Sequence, residues 1–182
     1  NHLPQLFIEL LKKEDLLQDE GLSQDDLDKL LKLVPTIQSI CEVLAERNIK
    51  ETLVNVDFNE NNMIINETTK QISYIDWGES VISHPFFSIA SHLQSISRRY
   101  KLALTGEILV NLKHQCLSCW LDAANMNDLT SIYQDILRIH PIYSALGLYR
   151  LQAATNNKSK EKQNWFIGDT LKKLITNEAI KI

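Results

Sequence analysis

Two short β-branched runs enclose a polar loop in Leu53-Val54-Asn55-Val56-Asp57-Phe58-Asn59-Glu60-Asn61-Asn62-Met63-Ile64-Ile65. Asp57 ends the first run, and Asn62, five residues later, precedes the second. A second Asp follows in Ile75-Asp76-Trp77-Gly78, after the polar turn 66–70. β-branched residues favour strands, whereas Asp and Asn favour the turns between them. The stretch therefore predicts a small β-hairpin with polar side chains at the strand ends.

The sequence on both sides of this β-part has helical periodicity. From Ser23, a Ser-x-x-Asp pattern opens a segment with apolar residues three and four positions apart, which predicts one helix ending near Asn48. Pro85 fits the first turn of a second helical segment. Further helices are predicted near 107–124, 129–139, 142–155 and 164–177, with breaks at 125–127, Pro141 and 156–162. The expected fold class is α+β, mainly α.

The composition limits the possible partners. The chain has 182 residues, of which 44% are hydrophobic and 23% charged, and a formal net charge of −4. It lacks a basic stripe that would neutralise a nucleic-acid backbone, and no apolar run approaches the roughly 20 residues that cross a bilayer. Residues 1–13 lack the basic-then-apolar order of a signal peptide. We therefore expect a cytoplasmic protein that binds neither nucleic acid nor a membrane.

The three cysteines are expected to be reduced, because their number is odd and a chain of this length does not depend on disulfides. Cys116 and Cys119, together with His114, resemble half of a zinc site or a redox pair. Their apolar helical context and the lack of a second ligand pair favour packing in the core instead.

Asp57, Asn62 and Asp76 form a set that suits phosphoryl transfer. That reaction needs a carboxylate to orient the acceptor hydroxyl, and hard oxygen ligands to hold Mg²⁺ on the phosphates of ATP. The alternative is three solvated polar residues, which turn chemistry also favours at strand ends.

The spacing of Asp57 and Asn62 is a weak signal by itself, since Asp122 and Asn127 have the same offset at a predicted helix end. The position of Asp57 and Asn62 between β-branched runs distinguishes the two pairs. Asn59 and Glu79 lie near enough in sequence to join the site, although an ordinary surface position suits each of them better.

Residues 53–90 resemble the catalytic core of the aminoglycoside phosphotransferase and choline kinase-like superfamily, which has a protein-kinase-like fold. That family has His-Gly-Asp, Asn five residues after the Asp, a hairpin, Ile-Asp-Trp or Ile-Asp-Phe, and a Pro-x-x-Asp-Leu-Ala helix start. The corresponding places here are Asn55-Val56-Asp57, Asn62, Ile75-Asp76-Trp77 and Pro85-Phe86-Phe87-Ser88-Ile89-Ala90.

The resemblance implies Asp57 as the catalytic base or hydroxyl-orienting group, and Asn62 and Asp76 as Mg²⁺ ligands. It also implies ATP as co-substrate and a hydroxyl of a small molecule as acceptor. Two positions depart from the pattern: Asn55 stands in place of the usual His, and Ser88 in place of the Asp that braces the catalytic loop through backbone hydrogen bonds. We expect neutral Asn and Ser groups to rebuild this bracing, which lowers activity without abolishing it.

The resemblance covers only the C-terminal lobe of such kinases. Their N-terminal β-rich lobe carries the lysine that holds the ATP phosphates, and no segment of residues 1–182 corresponds to it. The chain is expected to be a single C-terminal lobe of a longer kinase, inactive when isolated, although another chain could supply the missing lobe. Two alternatives stay open: a pseudokinase or binding module that keeps the lobe as a scaffold, and a purely helical interaction protein.

Overall fold

The computed structural model describes residues 2–55, 57–78, 80–155 and 166–176. The elements in chain order are α1 (Leu3–Leu11), α2 (Glu14–Asp19), α3 (Gln24–Glu46), β1 (Thr52–Asn55), a 3-10 turn (Glu60–Asn62), β2 (Met63–Ile65), β3 (Ile72–Tyr74), β4 (Ser80–Ser83), α4 (Phe86–Tyr100), α5 (Glu107–Ser118), α6 (Met126–Thr155) and α7 (Ile167–Thr176). This content of helices and short antiparallel strands confirms the predicted class, α+β and mainly α.

The chain divides into two compact units. The segments Asn1–Arg47 and Leu137–Ile182 form one unit, and Asn48–Ile136 forms the other. The description of residues 1–182 as a single lobe of a longer kinase stays a prediction. None of the helices in the described part of the chain combines the length and apolar character needed to cross a membrane.

Helices α1, α2, α3 and α7 pack together in the unit made from the two ends of the chain. α3 begins with a capping box, in which Ser23 Oγ accepts the Asp26 N–H at 3.2 Å and Asp26 Oδ2 accepts the Ser23 N–H at 3.0 Å. The predicted start of this helix is therefore confirmed, and its end at Glu46 is close to the predicted one. α1 and α2 have no counterpart among the predicted elements, and neither begins with a side-chain cap.

A glycine allows α7 to approach α2 closely. A Cβ atom at Gly168 would lie 2.2 Å from the carbonyl oxygen of Glu20, so any larger residue would clash with the backbone. The N–H of Ile167 donates to Glu20 Oε2 at 3.1 Å beside this contact. The same helix buries Leu171 and Leu174, so its apolar face and its glycine attach it to the unit.

The β-part of the other unit consists of two separate two-stranded antiparallel sheets. β2 and β3 form the predicted hairpin around the turn 66–70, with Met63 opposite Tyr74. β1 pairs with β4, with Asn55 opposite Ser80. β4 is absent from the predicted strands, because four residues with serine at both ends cannot be distinguished from a loop by periodicity.

The late helices differ from the prediction at their ends and at a proline. α6 continues through Pro141, so the predicted break there is wrong. A proline inside a helix removes a backbone hydrogen bond and crowds the preceding turn, but Ile139 and Ile142 beside it are almost completely buried, and this burial offsets the loss. α5 ends at Ser118, earlier than predicted. Of the predicted helix 164–177, residues 164–165 and 177 lie outside the described residues.

The cysteines on α5 and at its end are less buried than predicted. Cys116 is half-buried and Cys119 is exposed, as is His114, because this helix buries only Leu109 and Leu117. Burial, followed by the nearby Cys119, raises the pKa of the Cys116 thiol. Within the described ranges, no group of three or more His, Cys, Asp or Glu side chains could hold a metal ion.

Candidate active site

Asp57 lies at the centre of a hydrogen-bonded loop, residues 57–62, which we call the Asp57 loop. Asp57 Oδ1 accepts a hydrogen bond from Asn59 Nδ2 at 2.7 Å, and Oδ2 accepts one from Asn62 Nδ2 at 3.0 Å. The same two amides donate to the Asp57 carbonyl oxygen at 3.0 and 2.9 Å. The 3-10 turn returns the chain towards Asp57, so the predicted spacing of five residues brings Asn62 into direct contact with it.

Asn59 and Asn62 differ in the use of their amide oxygens. Asn59 Oδ1 accepts the N–H of Asn61 at 2.9 Å and caps the 3-10 turn. Asn62 Oδ1 has no hydrogen-bond donor among the residues that the structure describes. When the nitrogen of an amide donates to a carboxylate, the amide oxygen points away from that carboxylate and can bind another group. Mg²⁺ prefers oxygen ligands. Asn62 therefore remains a candidate ligand, whereas Asn59 has a structural role in the turn.

Asp76 is connected to the Asp57 loop by two bridges. Asn55 Oδ1 accepts the Asp57 N–H at 2.8 Å, and Asn55 Nδ2 donates to the Asp76 carbonyl oxygen at 2.9 Å. In addition, the N–H of Ile75 donates to the carbonyl oxygen of Asn62 at 3.0 Å. Asp76 has a left-handed backbone with φ of 59°, a conformation that Asp adopts more readily than most residues. The three predicted site residues thus belong to one hydrogen-bonded network.

The bracing role expected of Asn55 and Ser88 is confirmed in its geometry. Asn55 is only 3% exposed, and its amide bonds at both ends to the backbone. Ser88 Oγ, on α4, donates to the Asn55 carbonyl oxygen at 3.2 Å. Because both side chains are neutral and satisfied, the bracing needs no buried charge. The effect of these two residues on activity stays a prediction.

Aromatic rings support the other side of the Asp57 loop. The ring of Phe58 packs against Tyr74, with centroids 5.4 Å apart, and against His92 on α4, with centroids 5.2 Å apart. Burial lowers the pKa of His92, and the carboxylate of Glu60 and a backbone hydrogen bond with Phe58 partly oppose this change. The loop is therefore packed against the hairpin and against α4.

Arg99 is a contact of the loop that the sequence does not reveal. Its Nη1 donates to Asn61 Oδ1 at 2.9 Å and lies 3.0 Å from Glu60 Oε1. Asn61 and Arg99 are 38 residues apart in the chain, and Arg98, next to Arg99, has the same charge. No local pattern distinguishes the two arginines, so only the fold identifies the one that contacts the loop.

Apolar side chains are exposed on the hairpin next to this polar network. Six of them, between 41% and 59% exposed, make up what we call the hairpin surface: Ile64, Ile65, Ile72, Tyr74, Ile75 and Trp77. The strand register places Ile64 on one face of the two-stranded sheet and Ile65, Ile72 and Tyr74 on the other. Clusters of exposed apolar side chains often mark a contact surface. The hairpin surface adjoins Asn62 and Asp76 along the chain.

Asp122 and Asn127 show that spacing alone does not form a site. Asp122 lies in the turns that follow α5 and Asn127 lies in α6, and both are exposed. Glu79, the other residue considered near the site, lies outside the described residues. No protein-family model, curated protein or solved structure matches this chain.

Proposed function

We propose that this chain carries the catalytic loop of a Mg²⁺-dependent phosphotransferase with a protein-kinase-like fold, of which it forms the C-terminal lobe. The reaction is transfer of the γ-phosphoryl group of ATP to a hydroxyl of a small molecule. The observation that supports it best is the hydrogen bond from Asn62 Nδ2 to Asp57 Oδ2, which pairs a carboxylate with an amide whose oxygen can bind a metal. The motif order of residues 53–90 supports the same reaction.

Asp57 orients the acceptor hydroxyl in this proposal. A carboxylate offers about four lone-pair sites, and the amides of Asn59 and Asn62 each occupy one on a different oxygen. Acceptor capacity therefore remains for a substrate hydroxyl at this exposed side chain. The two amides also fix the carboxylate in one orientation, and phosphoryl transfer depends mainly on such positioning.

Asn62 Oδ1 and the carboxylate of Asp76 would hold Mg²⁺. Mg²⁺ in nucleotide sites is usually bound through one or two side-chain oxygens, together with phosphates and water, so this donor set fits the ion. When bound, Mg²⁺ would stabilise the negative charge on the transferring phosphate. The bridge from Asn55 to the Asp76 carbonyl limits the movement of Asp76 and keeps its segment close to the Asp57 loop.

The hairpin surface supports the presence of a covering partner in the active protein. Six exposed apolar side chains beside the polar network are unfavourable in water, and an N-terminal lobe with bound nucleotide would cover such a surface. The phosphate-binding lysine of that lobe would complete the site. On this proposal the isolated lobe is inactive.

The neutral bracing favours a second candidate, a pseudokinase or binding module. Asn55 and Ser88 keep the loop in place without the charged groups that the related kinases use. Such a protein would bind nucleotide through the same residues without turnover.

Mg²⁺-dependent ATP consumption by the full-length gene product tests these proposals. The acceptors to be compared are aminoglycosides, choline, sugars and amino alcohols. We expect Asp57→Ala to reduce turnover by about 10²- to 10⁴-fold, the usual contribution of a positioned acid or base. Asn66→Ala is the matched control, because the hydrogen bonds of Asn66 to the described residues all lie within the hairpin turn and the adjoining Gln71.

Each outcome selects one function. Turnover that is lost in Asp57→Ala and kept in Asn66→Ala supports the kinase and gives its acceptor class. Nucleotide binding without turnover for any acceptor favours the pseudokinase. A protein with both lobes that binds neither nucleotide nor Mg²⁺ contradicts both candidates and favours the helical interaction protein.

A further inference from the structure

One stripe of α4 follows the chain from the end of β1 along the Asp57 loop. Ser88, His92 and Arg99 stand at positions i, i+4 and i+11, which 3.6 residues per turn place within about 40° of one another. Ser88 bonds to the carbonyl oxygen of Asn55, and His92 packs against Phe58. The stripe is about 16 Å long, and Arg99, at its far end, contacts the 3-10 turn.

Arg99 holds the 3-10 turn that ends at Asn62. Its Nη1 bonds to Asn61 Oδ1 at 2.9 Å and forms an ion pair with Glu60 Oε1 at 3.0 Å. Both Glu60 carboxylate oxygens are hidden from solvent and lack a well-aligned hydrogen bond within the described residues. The charge of Arg99 therefore compensates a carboxylate that solvent does not reach, and this favours a fixed turn.

We propose that Arg99 is a positioning residue that fixes the Glu60–Asn62 turn and thereby sets the affinity of Asn62 for Mg²⁺. This inference rests on the proposed function and adds a residue to its site. Arg99 acts through Asn61 and Glu60, the two residues before Asn62. Without these contacts the turn samples other conformations, and the apparent metal affinity falls in proportion to the fraction of time that Asn62 Oδ1 is in place.

Arg98 provides a matched control for a simpler explanation, in which Arg99 acts only through its positive charge at the end of α4. Arg98 and Arg99 both lie in the last turn of α4, where a positive charge interacts favourably with the helix dipole. Arg98 is exposed, and within the described residues it forms no hydrogen bond or ion pair with the Asp57 loop, in contrast to Arg99. Arg98→Gln and Arg99→Gln therefore remove the same charge from the same turn, and only Arg99→Gln removes the contacts to Asn61 and Glu60.

Metal binding measures the proposed effect without requiring turnover. Mn²⁺, used as a probe for Mg²⁺, is titrated by electron paramagnetic resonance into the full-length protein in the presence of ATP. We expect Arg99→Gln to raise the apparent dissociation constant about three- to tenfold, the size expected when one typical hydrogen bond is lost at a half-exposed side chain. Arg98→Gln should equal the wild type. Arg99→Lys should recover part of the affinity, because it keeps the charge but not the planar fork.

Hydrogen exchange tests the turn itself. The N–H of Asn62 donates to the Asn59 carbonyl oxygen at 3.2 Å, so its exchange reports opening of the turn. We expect faster exchange at Asn62 in Arg99→Gln than in Arg98→Gln, with the same midpoint of thermal unfolding in both. Adding Asn61→Ala to Arg99→Gln should change the metal affinity little further, because the first substitution already breaks the contact.

The outcomes separate this inference from the function on which it rests. Equal Mn²⁺ affinity and equal Asn62 exchange in the two arginine variants, with metal binding intact in the wild type, would overturn the role of Arg99 and leave the proposed function standing. If the wild type binds no more Mn²⁺ than Asp76→Ala, which lacks a proposed ligand, the proposed function and the inference are overturned together. A loss of affinity confined to Arg99→Gln supports both.

Discussion

Asn55 connects two segments of the site through one buried amide. Replacing it with alanine leaves the Asp57 N–H and the Asp76 carbonyl oxygen without these partners. Both hydrogen bonds are partly buried, and the loss of a typical intramolecular hydrogen bond costs about 0.5–1.5 kcal/mol. We therefore expect Asn55→Ala to lower the free energy of unfolding by about 1–3 kcal/mol, measured by chemical denaturation.

Asn66 is the control for this substitution because its hydrogen bonds are similar in number but exposed. Asn66 Oδ1 accepts the N–H groups of Thr68 and Thr69, each at 3.0 Å. Water can replace these bonds, so Asn66→Ala should cost no more than about 1 kcal/mol. A loss as large as that of Asn55→Ala would mean that burial does not account for the effect.

His84 makes stability depend on pH. Its Nδ1 accepts the Phe86 N–H at 3.2 Å, and burial lowers its pKa to about 4. The ordinary pKa of an unfolded histidine is about 6.5. As pH falls through the window between these values, the unfolded chain takes up the proton first. The free energy of unfolding therefore decreases across the window, by up to about 3 kcal/mol, and the loss ends below the lower value.

The variant His84→Asn isolates this contribution, since asparagine offers the Phe86 N–H a neutral acceptor. Urea denaturation between about pH 7 and pH 4 should show a shallower loss of stability in the variant than in the wild type. Burial also lowers the pKa of His92, so some dependence of the same sign remains. An unchanged slope would exclude His84 as its source.

Among the helices, α3 has the clearest start signal in the sequence, the Ser-x-x-Asp pattern at Ser23. Ser23 and Asp26 form the capping box with distances of 2.8–3.2 Å. We expect Ser23→Ala to lower the free energy of unfolding by about 1 kcal/mol. The same substitution at Ser39, exposed in the middle of the helix, should have little effect or be slightly stabilising, because alanine is the better helix former.

The capping box also has its own pH dependence. Hydrogen bonds from Ser23 lower the pKa of Asp26 below its ordinary value of 3.8. The carboxylate therefore contributes its full stabilisation above that value and loses it as pH falls through the lower, folded pKa. The stability difference between wild type and Ser23→Ala should shrink in acid. A difference that stays constant below about pH 4 would contradict this account.

Elements with local signals could be predicted, and those set by packing could not. Ser23 and Asp26 predict the start of α3, and the polar turn 66–70 predicts the hairpin. Pro141 is misleading because the isoleucines beside it are buried, a fact that depends on the rest of the fold. β4 has almost no signal of its own and becomes a strand because β1 lies beside it.

The candidate site follows the same division. Asp57 and Asn62 meet through a loop of six residues, so the sequence between strands is enough to predict their contact. Asn55 and Ser88 are noticed because they replace the His and Asp of the motif, and both form the neutral hydrogen bonds to the backbone that we expect. Arg99 reaches the loop from 38 residues away, and such a long-range contact becomes visible only when α4 has been placed.

At the scale of the whole molecule, the first and last parts of the chain form one unit. α7 packs against α2 and α3, and Leu171 within it is fully buried. Leu171→Ala should lower the free energy of unfolding by about 2–5 kcal/mol. By hydrogen exchange, we expect α3 to lose more protection than β1 and β4, since neighbouring elements of one unit open together.

The exposed Lys173 on the same helix is the control for this substitution. Lys173→Ala should leave exchange in α3 close to that of the wild type, because surface changes usually alter stability by less than about 0.5 kcal/mol. Equal loss of protection in α3 and in β1 after Leu171→Ala would show that the two units do not open separately.

The hairpin surface affects how this protein behaves at high concentration. Within the described residues, β2 and β3 pair only with each other, so each strand keeps one free edge. Free edges that carry apolar, uncharged side chains can add strands from other chains, and this is a common start of aggregation. Glu67 and Lys70 in the turn between the strands, and Asp76 after β3, are charges next to this sheet that oppose such stacking. We therefore expect association between copies of this chain to increase whenever the small sheet is left uncovered, from the moment that the hairpin is synthesised.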